Sequence, residues 1–149
     1  MKRSDKRSHC PVNFALESFG DPWSLLIIRD IVFWGKHTYG DFLNSGERIS
    51  TNILSSRLKR LEKAGILFRV KDGSDRRKEL YSLTERGLQI IPILLEMSGW
   101  SSNNDPETIA PKDFVASVYA DRKEMFVRIT EHIRNGGSLF GPNPFIKGE

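Results

Sequence analysis

From Ser50 to Gly65 the chain reads Ser50-Thr51-Asn52-Ile53-Leu54-Ser55-Ser56-Arg57-Leu58-Lys59-Arg60-Leu61-Glu62-Lys63-Ala64-Gly65. This pattern leaves little freedom of fold. A serine at the N-cap, leucines three and four residues apart and a terminal glycine predict one helix over 50–64. At about 100° per residue, with Leu54 at zero, Leu58 falls at about 40° and Leu61 at about 340°, one buried stripe. Asn52, Ser56, Lys59 and Lys63 fall at about 140–200°, directly opposite, with Thr51 and Ser55 on the flank. The outward face therefore presents short hydrogen-bonding side chains in its first turns and lysines further on. Arg57, at about 300°, lies close to the buried stripe. It is expected to make a structural ion pair or a phosphate contact at the domain edge, not to read bases.

A second constrained segment follows. Ile66 to Lys71 alternates as a strand, Asp72-Gly73-Ser74-Asp75 is turn chemistry, and Lys78 to Leu83 is the return strand. Arg76, Arg77 and Lys78 make its tip basic, and Asp75 is placed to brace an arginine. Between 48 and 78 there are ten basic side chains against three acidic ones, a net of +7 in a chain whose total is +4. The remainder therefore carries −3. A basic block on a nearly neutral body is the footprint of a polyanion site, the plain alternative being a solvated charged face.

The other elements frame this pair. Cys10-Pro11 opens a first helix with Val12, Ala15, Leu16 and Phe19 at helical spacing, closed by Gly20. Asp21-Pro22 starts a second helix, apolar nearly all round through Trp34-Gly35, which is expected to be the buried centre. Lys36 to Tyr39 is short enough for a small strand, and Gly40 to Ser45 is a brief third helix. Thr84 caps a fifth helix running towards Trp100, with Pro92 a kink. Ser101 to Ala110 reads as a linker and Pro111 to Arg134 as one amphipathic helix carrying Phe114, Val118, Met125, Phe126, Ile129 and Ile133. The end, with Pro142 and Pro144, is expected to be irregular.

The fold class expected is mainly α with a small β-hairpin: a winged helix-turn-helix with N- and C-terminal dimerisation helices. Its divisions are a basic N-terminal arm (1–9), a DNA-binding domain (10–100) and a linker plus C-terminal helix with a role in dimerisation (101–149). In this layout helix 50–64 enters a major groove of double-stranded DNA and the wing, 72–78, meets the minor groove or backbone. The expected DNA-binding residues are Ser50, Thr51, Asn52, Ser55, Ser56, Lys59, Arg76, Arg77 and Lys78. Asn52 is the base reader, because its amide makes paired bonds to adenine. The alternative is a winged-helix module for protein–protein contacts without DNA reading.

Several classes are disfavoured. The chain has no run of eighteen apolar residues and no export signal, so a cytoplasmic protein without membrane contact is expected. A single cysteine, Cys10, excludes an intrachain disulfide. His9, His37 and His132 have no metal-ligand spacing, and neither a phosphate-cradling loop nor a nucleophile elbow is present. No catalysis, cofactor or metal is expected.

From Cys10 to about Trp100 the chain resembles the HxlR family of bacterial transcriptional regulators, winged-helix proteins related to MarR regulators. The resemblance rests on Cys10-Pro11-Val12, Trp23-Ser24-Leu25-Leu26-Ile27-Ile28-Arg29-Asp30, Tyr39-Gly40-Asp41-Phe42 and Ile49-Ser50 through Arg57-Leu58. Leu61-Glu62, Gly65-Ile66-Leu67 and Tyr81-Ser82-Leu83-Thr84-Glu85-Arg86-Gly87 complete it. The wing departs from the family: Asp75-Arg76-Arg77 is more like MarR, and the usual proline before the last strand is missing. The resemblance implies a homodimer on an inverted-repeat operator. It also implies a small-molecule or oxidant effector, with Cys10 as candidate redox sensor. Lys6, Arg7 and His9 and the start of the first helix would favour its thiolate; the plainer role is a small apolar residue in the arm.

Overall fold

The computed structural model describes residues 7–146; the greater part of the expected N-terminal arm, Lys6 included, lies outside the described residues. Helices α1 (Pro11–Phe19), α2 (Pro22–Trp34), α3 (Tyr39–Leu43) and α4 (Thr51–Lys63) precede a hairpin of β1 (Leu67–Lys71) and β2 (Glu79–Leu83). Helices α5 (Glu85–Leu88), α6 (Ile91–Asn104), α7 (Lys112–Ala120) and α8 (Arg122–Arg134) follow.

As its composition requires, α2 is the centre: Ile27, Ile28, Ile31 and Val32 are all buried. Asp21 caps it by accepting from the Ser24 N–H at 3.0 Å, and Gly35 ends it in the left-handed conformation. Across it packs α4, burying Leu54, Leu58 and Leu61 as its spacing demands. Each leucine contributes roughly 1.5–3 kcal/mol on leaving water.

The hairpin is antiparallel, pairing Leu67 with Leu83 through to Lys71 with Glu79. Only its base is buried, at Leu67, Tyr81 and Leu83. Phe68 and Val70 are both exposed, so the alternation does not mark a buried face, because the hairpin stands out from the body. The stretch 36–39 forms no strand. Thr38 is already committed as the α3 N-cap, accepting from Asp41 N–H at 3.1 Å. What remains is one contact with β2: the Tyr81 N–H donates to the His37 carbonyl at 2.7 Å, and His37 Nδ1 lies 2.7 Å from the Tyr81 carbonyl.

Two helices expected to be continuous are divided. Pro92 has no N–H to offer, and the chain breaks at Gln89–Ile90, giving α5 and α6 in place of one kinked helix. Helix α6 then runs to Asn104, so the first four residues of the stretch read as linker are helical. The amphipathic run 111–134 also divides, at Asp121 (φ −153°, ψ 80°), whose carboxylate caps α8 through the Glu124 N–H at 3.2 Å. The resulting corner turns the apolar faces of α7 and α8 onto their own chain, burying Phe114, Val118, Met125, Ile129 and Ile133. The irregular end closes α2: Leu139 and Phe140 N–H groups donate to the Val32 and Phe33 carbonyls at 2.9 and 2.8 Å. These carbonyls are among the acceptors a helix C-terminus otherwise leaves unmet. Phe140 packs against Phe33, Trp34 and Phe114.

At the start of α5, Thr84 receives the Gly87 N–H at 3.0 Å, and a Cβ at Gly87 would overlap the Ile66 carbonyl oxygen. Gly87→Ala is therefore expected to destabilise by about 1–3 kcal/mol, since the clash is with backbone. Gly40→Ala, with nothing within 4 Å of the added carbon, should be neutral or stabilising. Urea midpoints of the two variants test this, and equal effects would refute the steric argument.

A second prediction concerns acid. Burial acts to raise the Asp21 pKa, but hydrogen bonds from Ser24 and Arg57 outweigh it and hold the carboxyl below its ordinary value. A depressed carboxylate stabilises the fold above the unfolded pKa, and that stabilisation is lost as pH falls through the folded value. Asp21→Asn keeps a good cap but removes the charge. Its deficit against wild type should be full at neutral pH and shrink below about pH 4; a pH-independent deficit would count against the ion pair.

Candidate nucleic-acid interface

Helices α3 and α4 form the helix-turn-helix, and three devices fix the entry to α4. Ser50 caps it, accepting from the Ile53 N–H at 3.2 Å. The Tyr39 hydroxyl donates to the Thr51 carbonyl at 3.2 Å and lies 3.3 Å from Ser55 Oγ. The connecting loop is anchored to α2 through Asp30, which is only 2% exposed. Arg29 reaches Asp30 through Nε and Nη2 at 3.0 and 2.6 Å, and grips Glu47 with Nη1 and Nη2 at 2.6 and 2.9 Å. Ser45 donates to the other Asp30 oxygen, while Lys36 donates to Ser45 at 3.0 Å. The Arg29 fork holds the Glu47 carboxyl below its usual range, although burial opposes it.

With its leucines inward, α4 exposes Thr51, Asn52, Ser55, Ser56, Lys59 and Lys63. The structure thus brings the expected helix residues onto one solvent face, with Ser50 just before them. Their freedom differs. Ser50 oxygen is used by the cap, Ser55 is beside the Tyr39 hydroxyl, and Ser56 accepts from Arg57 Nη1 at 3.2 Å. Among the described residues, the side chains of Asn52 and Lys59 have no intramolecular partner. Arg57 is structural: its Nε donates to Asp21 Oδ1 at 2.9 Å, tying α4 to the start of α2.

The wing turn is closed by Asp72 N–H donating to the Lys78 carbonyl at 2.9 Å and Lys78 N–H to the Asp75 carbonyl at 3.0 Å. Asp72 accepts the Ser74 N–H at 2.9 Å, and this bond, with the Ser74 hydroxyl, keeps its carboxyl below the ordinary value. Asp75 braces Arg77, taking its N–H at 3.0 Å and its Nε at 3.4 Å. Arg76 and Lys78 are exposed, with no ion pair among the described residues.

The basic block is consequently less uniform than its net charge. Arg69 pairs with Glu62 and Glu79 at 3.3 and 2.9 Å, and Lys71 pairs with Glu79 at 3.3 Å. Arg60 donates to the Glu17 carbonyl at 3.3 Å. Within the described residues, the basic side chains of this block left without an acidic partner or hydrogen bond are Arg48, Lys59, Lys63, Arg76 and Lys78. Two contributors escaped the pattern of the sequence. Arg48, exposed in the α3–α4 loop with φ +59°, is marked in sequence only by its position two residues before the cap. Tyr39 bears on α4 solely through the tertiary fold.

Cys10 precedes α1 with an exposed, free thiol. Arg7, expected to favour its thiolate, points along α1 instead: Nη2 donates to Asn13 at 3.3 Å and Nε lies 3.7 Å from Glu17. Among the described residues no group of three or more His, Cys, Asp or Glu could hold a metal ion, and no helix is long and apolar enough to cross a membrane.

Comparison with known proteins places this geometry. Residues 18–108 match the family described as HxlR-like helix-turn-helix. The HTH-type transcriptional regulator Rv3095 of Mycobacterium tuberculosis is 35% identical over 143 residues, covering 93% of this chain and 89% of the relative. A Synechocystis HTH-type regulator, sll1512, is 34% identical over 88 residues, covering 59% of this chain and 64% of its own length. Among solved structures, PA1607, a candidate transcription factor, is 34% identical with a TM-score of 0.62, covering 70% of this chain and 73% of that one. The redox regulator HypR in its oxidised form is 29% identical with a TM-score of 0.56, covering 64% and 97%. The family and the relatives' names describe transcriptional regulation, not catalysis. The chain belongs to the HxlR-like helix-turn-helix family and is a transcriptional regulator of the MarR-like winged-helix fold.

Proposed function

We propose that this chain is a homodimeric, sequence-specific DNA-binding regulator whose two α4 helices read an inverted-repeat operator. The observation that carries the reading is the outward face of α4. Its first turns offer Thr51, Asn52 and Ser56 to base edges, Lys59 and Lys63 follow at phosphate height, and the leucines behind fix that face outward. Ser50, which retains a hydroxyl proton, and Ser55 serve the groove wall. Arg76 and Lys78 clamp the minor groove or backbone, with Arg77 held by Asp75 as their support. Arg48 joins them as a phosphate contact at the start of α4. Among the described residues, no large apolar side chain of α4 is exposed, which disfavours a purely protein-binding module.

In this reading residues 10–100 are the DNA-binding unit and the C-terminal extension buttresses it. Because α7 and α8 bury their apolar faces within the chain, the dimer surface falls elsewhere. Val12 (66% exposed) and Leu16 (54%) on α1, and Ile93, Met97 and Trp100 (67%) on α6, are exposed apolar side chains that a second subunit would cover. Two-fold pairing would set the α4 helices about 34 Å apart, one DNA turn. Cys10, exposed beside α1, is the candidate for redox control through a bridge between subunits, a reading supported by the likeness to the redox regulator HypR.

Gel-shift titration against promoter fragments pulled from the chain's own genome tests the reading. Binding should fall steeply with salt. Asn52→Ala should cost about 1–3 kcal/mol, mainly at one base position, and equal losses on random DNA would remove it as a reader. Arg76→Ala should weaken binding to specific and random duplexes alike and flatten the salt dependence. Failure to bind any duplex at low salt would sink the proposal. Leu16→Glu with Trp100→Glu should give monomers by sedimentation; an unchanged dimer would misplace the interface. If Cys10 reacts slowly with a thiol reagent and oxidation leaves operator binding unchanged, the redox role fails.

A further inference from the structure

A cavity of about 670 Å³ lies between α2, α6, α7 and the segment joining α6 to α7. Leu25, Phe33, Met97, Ile109, Phe114 and Phe140 make its walls largely apolar, and Ile109, 90% exposed, stands at its edge. Protein interiors seldom tolerate voids much larger than a water molecule, so hundreds of cubic ångströms of apolar space is a binding volume in size and lining. Ile109, Phe114 and Phe140 lie beyond residues 18–108, so the cavity is a product of the C-terminal extension acting on the helix-turn-helix core.

The charges at the cavity identify the class of occupant. Arg29 and Glu47 both border it, but they are joined to each other through two bonds, and Arg29 is also held by Asp30. An anion would have to displace Glu47, and a cation Arg29; either exchange leaves a partly buried charge without its partner. Hydroxyls at Ser98, Ser101 and Thr108 offer neutral hydrogen bonds instead. Glu47 belongs to the loop that leads into Ser50 and α4, so an occupant pressing on this pair acts on the reading helix. We propose that the cavity binds an uncharged, predominantly apolar small molecule, and that its occupancy changes DNA affinity through the Arg29–Glu47 pair. The second half rests on the DNA-binding reading; the first does not.

Fluorescence titration of the full-length protein with the neutral probe N-phenyl-1-naphthylamine tests the binding. Saturable, one-to-one binding is expected, weakened at least tenfold by Ala110→Trp or Ser98→Phe, both of which fill the cavity. The anionic 1-anilinonaphthalene-8-sulfonate should bind more weakly. Independently of any variant, the probe should shift the methyl resonances of Leu25, Leu94 and Val115. Absence of saturation, tighter binding of the anion, or shifts confined to Ile93 on the outer face of α6 would overturn the site. Saturating probe should move the gel-shift midpoint of wild type but not of Ala110→Trp. An unmoved wild-type midpoint refutes the coupling alone, whereas loss of all DNA binding without probe strikes at the proposed function and leaves the cavity standing.

Discussion

Everything α4 shows to solvent is oriented by what it buries. Leu54, Leu58 and Leu61 sit against a central helix whose own Ile27, Ile28 and Ile31 have no other solvent to avoid. Rotating α4 by one residue would lift part of this stripe into water at a cost of several kcal/mol. Polar ties then fix the helix lengthwise. Arg57 binds it to Asp21 at one end of α2, and the Asp30 cluster holds the loop before it near the other. A buried carboxylate such as Asp30 is tolerable only because Arg29 and Ser45 satisfy it; removing Arg29 would leave an uncompensated charge, and removing Ser45 an unmet oxygen. The entry to α4 is thus held by groups that never approach its outer face.

The same logic thins the basic block. Acidic residues at 21, 62, 75 and 79 draw Arg57, Arg77, Arg69 and Lys71 into ion pairs. At exposed positions such pairs add little to stability. Their larger consequence is directional, since they remove some cations from play and leave Arg48, Lys59, Lys63, Arg76 and Lys78 open on the solvent side of the helix-turn-helix and its wing. Net charge supplies the long-range field, and pairing decides which cationic side chains stay free to meet a partner from solution.

The C-terminal extension behaves as a second layer of the core. The corner at Asp121 folds α8 back until Arg134 meets Glu85 at 2.7 Å, and the tail finishes α2 by taking up its terminal carbonyls. Apolar area that a free amphipathic helix would offer to a partner is thereby consumed at home. Exposed apolar side chains remain on α1 and α6, among other places, and the imperfect closure of the two layers leaves the cavity beside Arg29 and Glu47.

Local chemistry was legible in the chain: caps at Asp21, Ser50 and Thr84, the leucine stripe of α4, the turn at Asp72–Asp75 and the placing of Arg57 beside the buried stripe all follow from neighbours within a turn or two, whereas its tie to Asp21, 36 residues away, does not. Such signals need only backbone periodicity and short-range hydrogen bonds, so the sequence by itself determined the helix-turn-helix, its wing and the face it presents. It did not determine the break at Asp121, which has neither glycine nor proline to announce it. Nor did it determine the contact of Tyr39 with Ser55, the loss of strand character at 36–39 or the inward turn of the last helices. These depend on which residues, sixteen to more than a hundred positions apart, compete for the same carboxylate, carbonyl or apolar surface, and only the tertiary structure decides that competition.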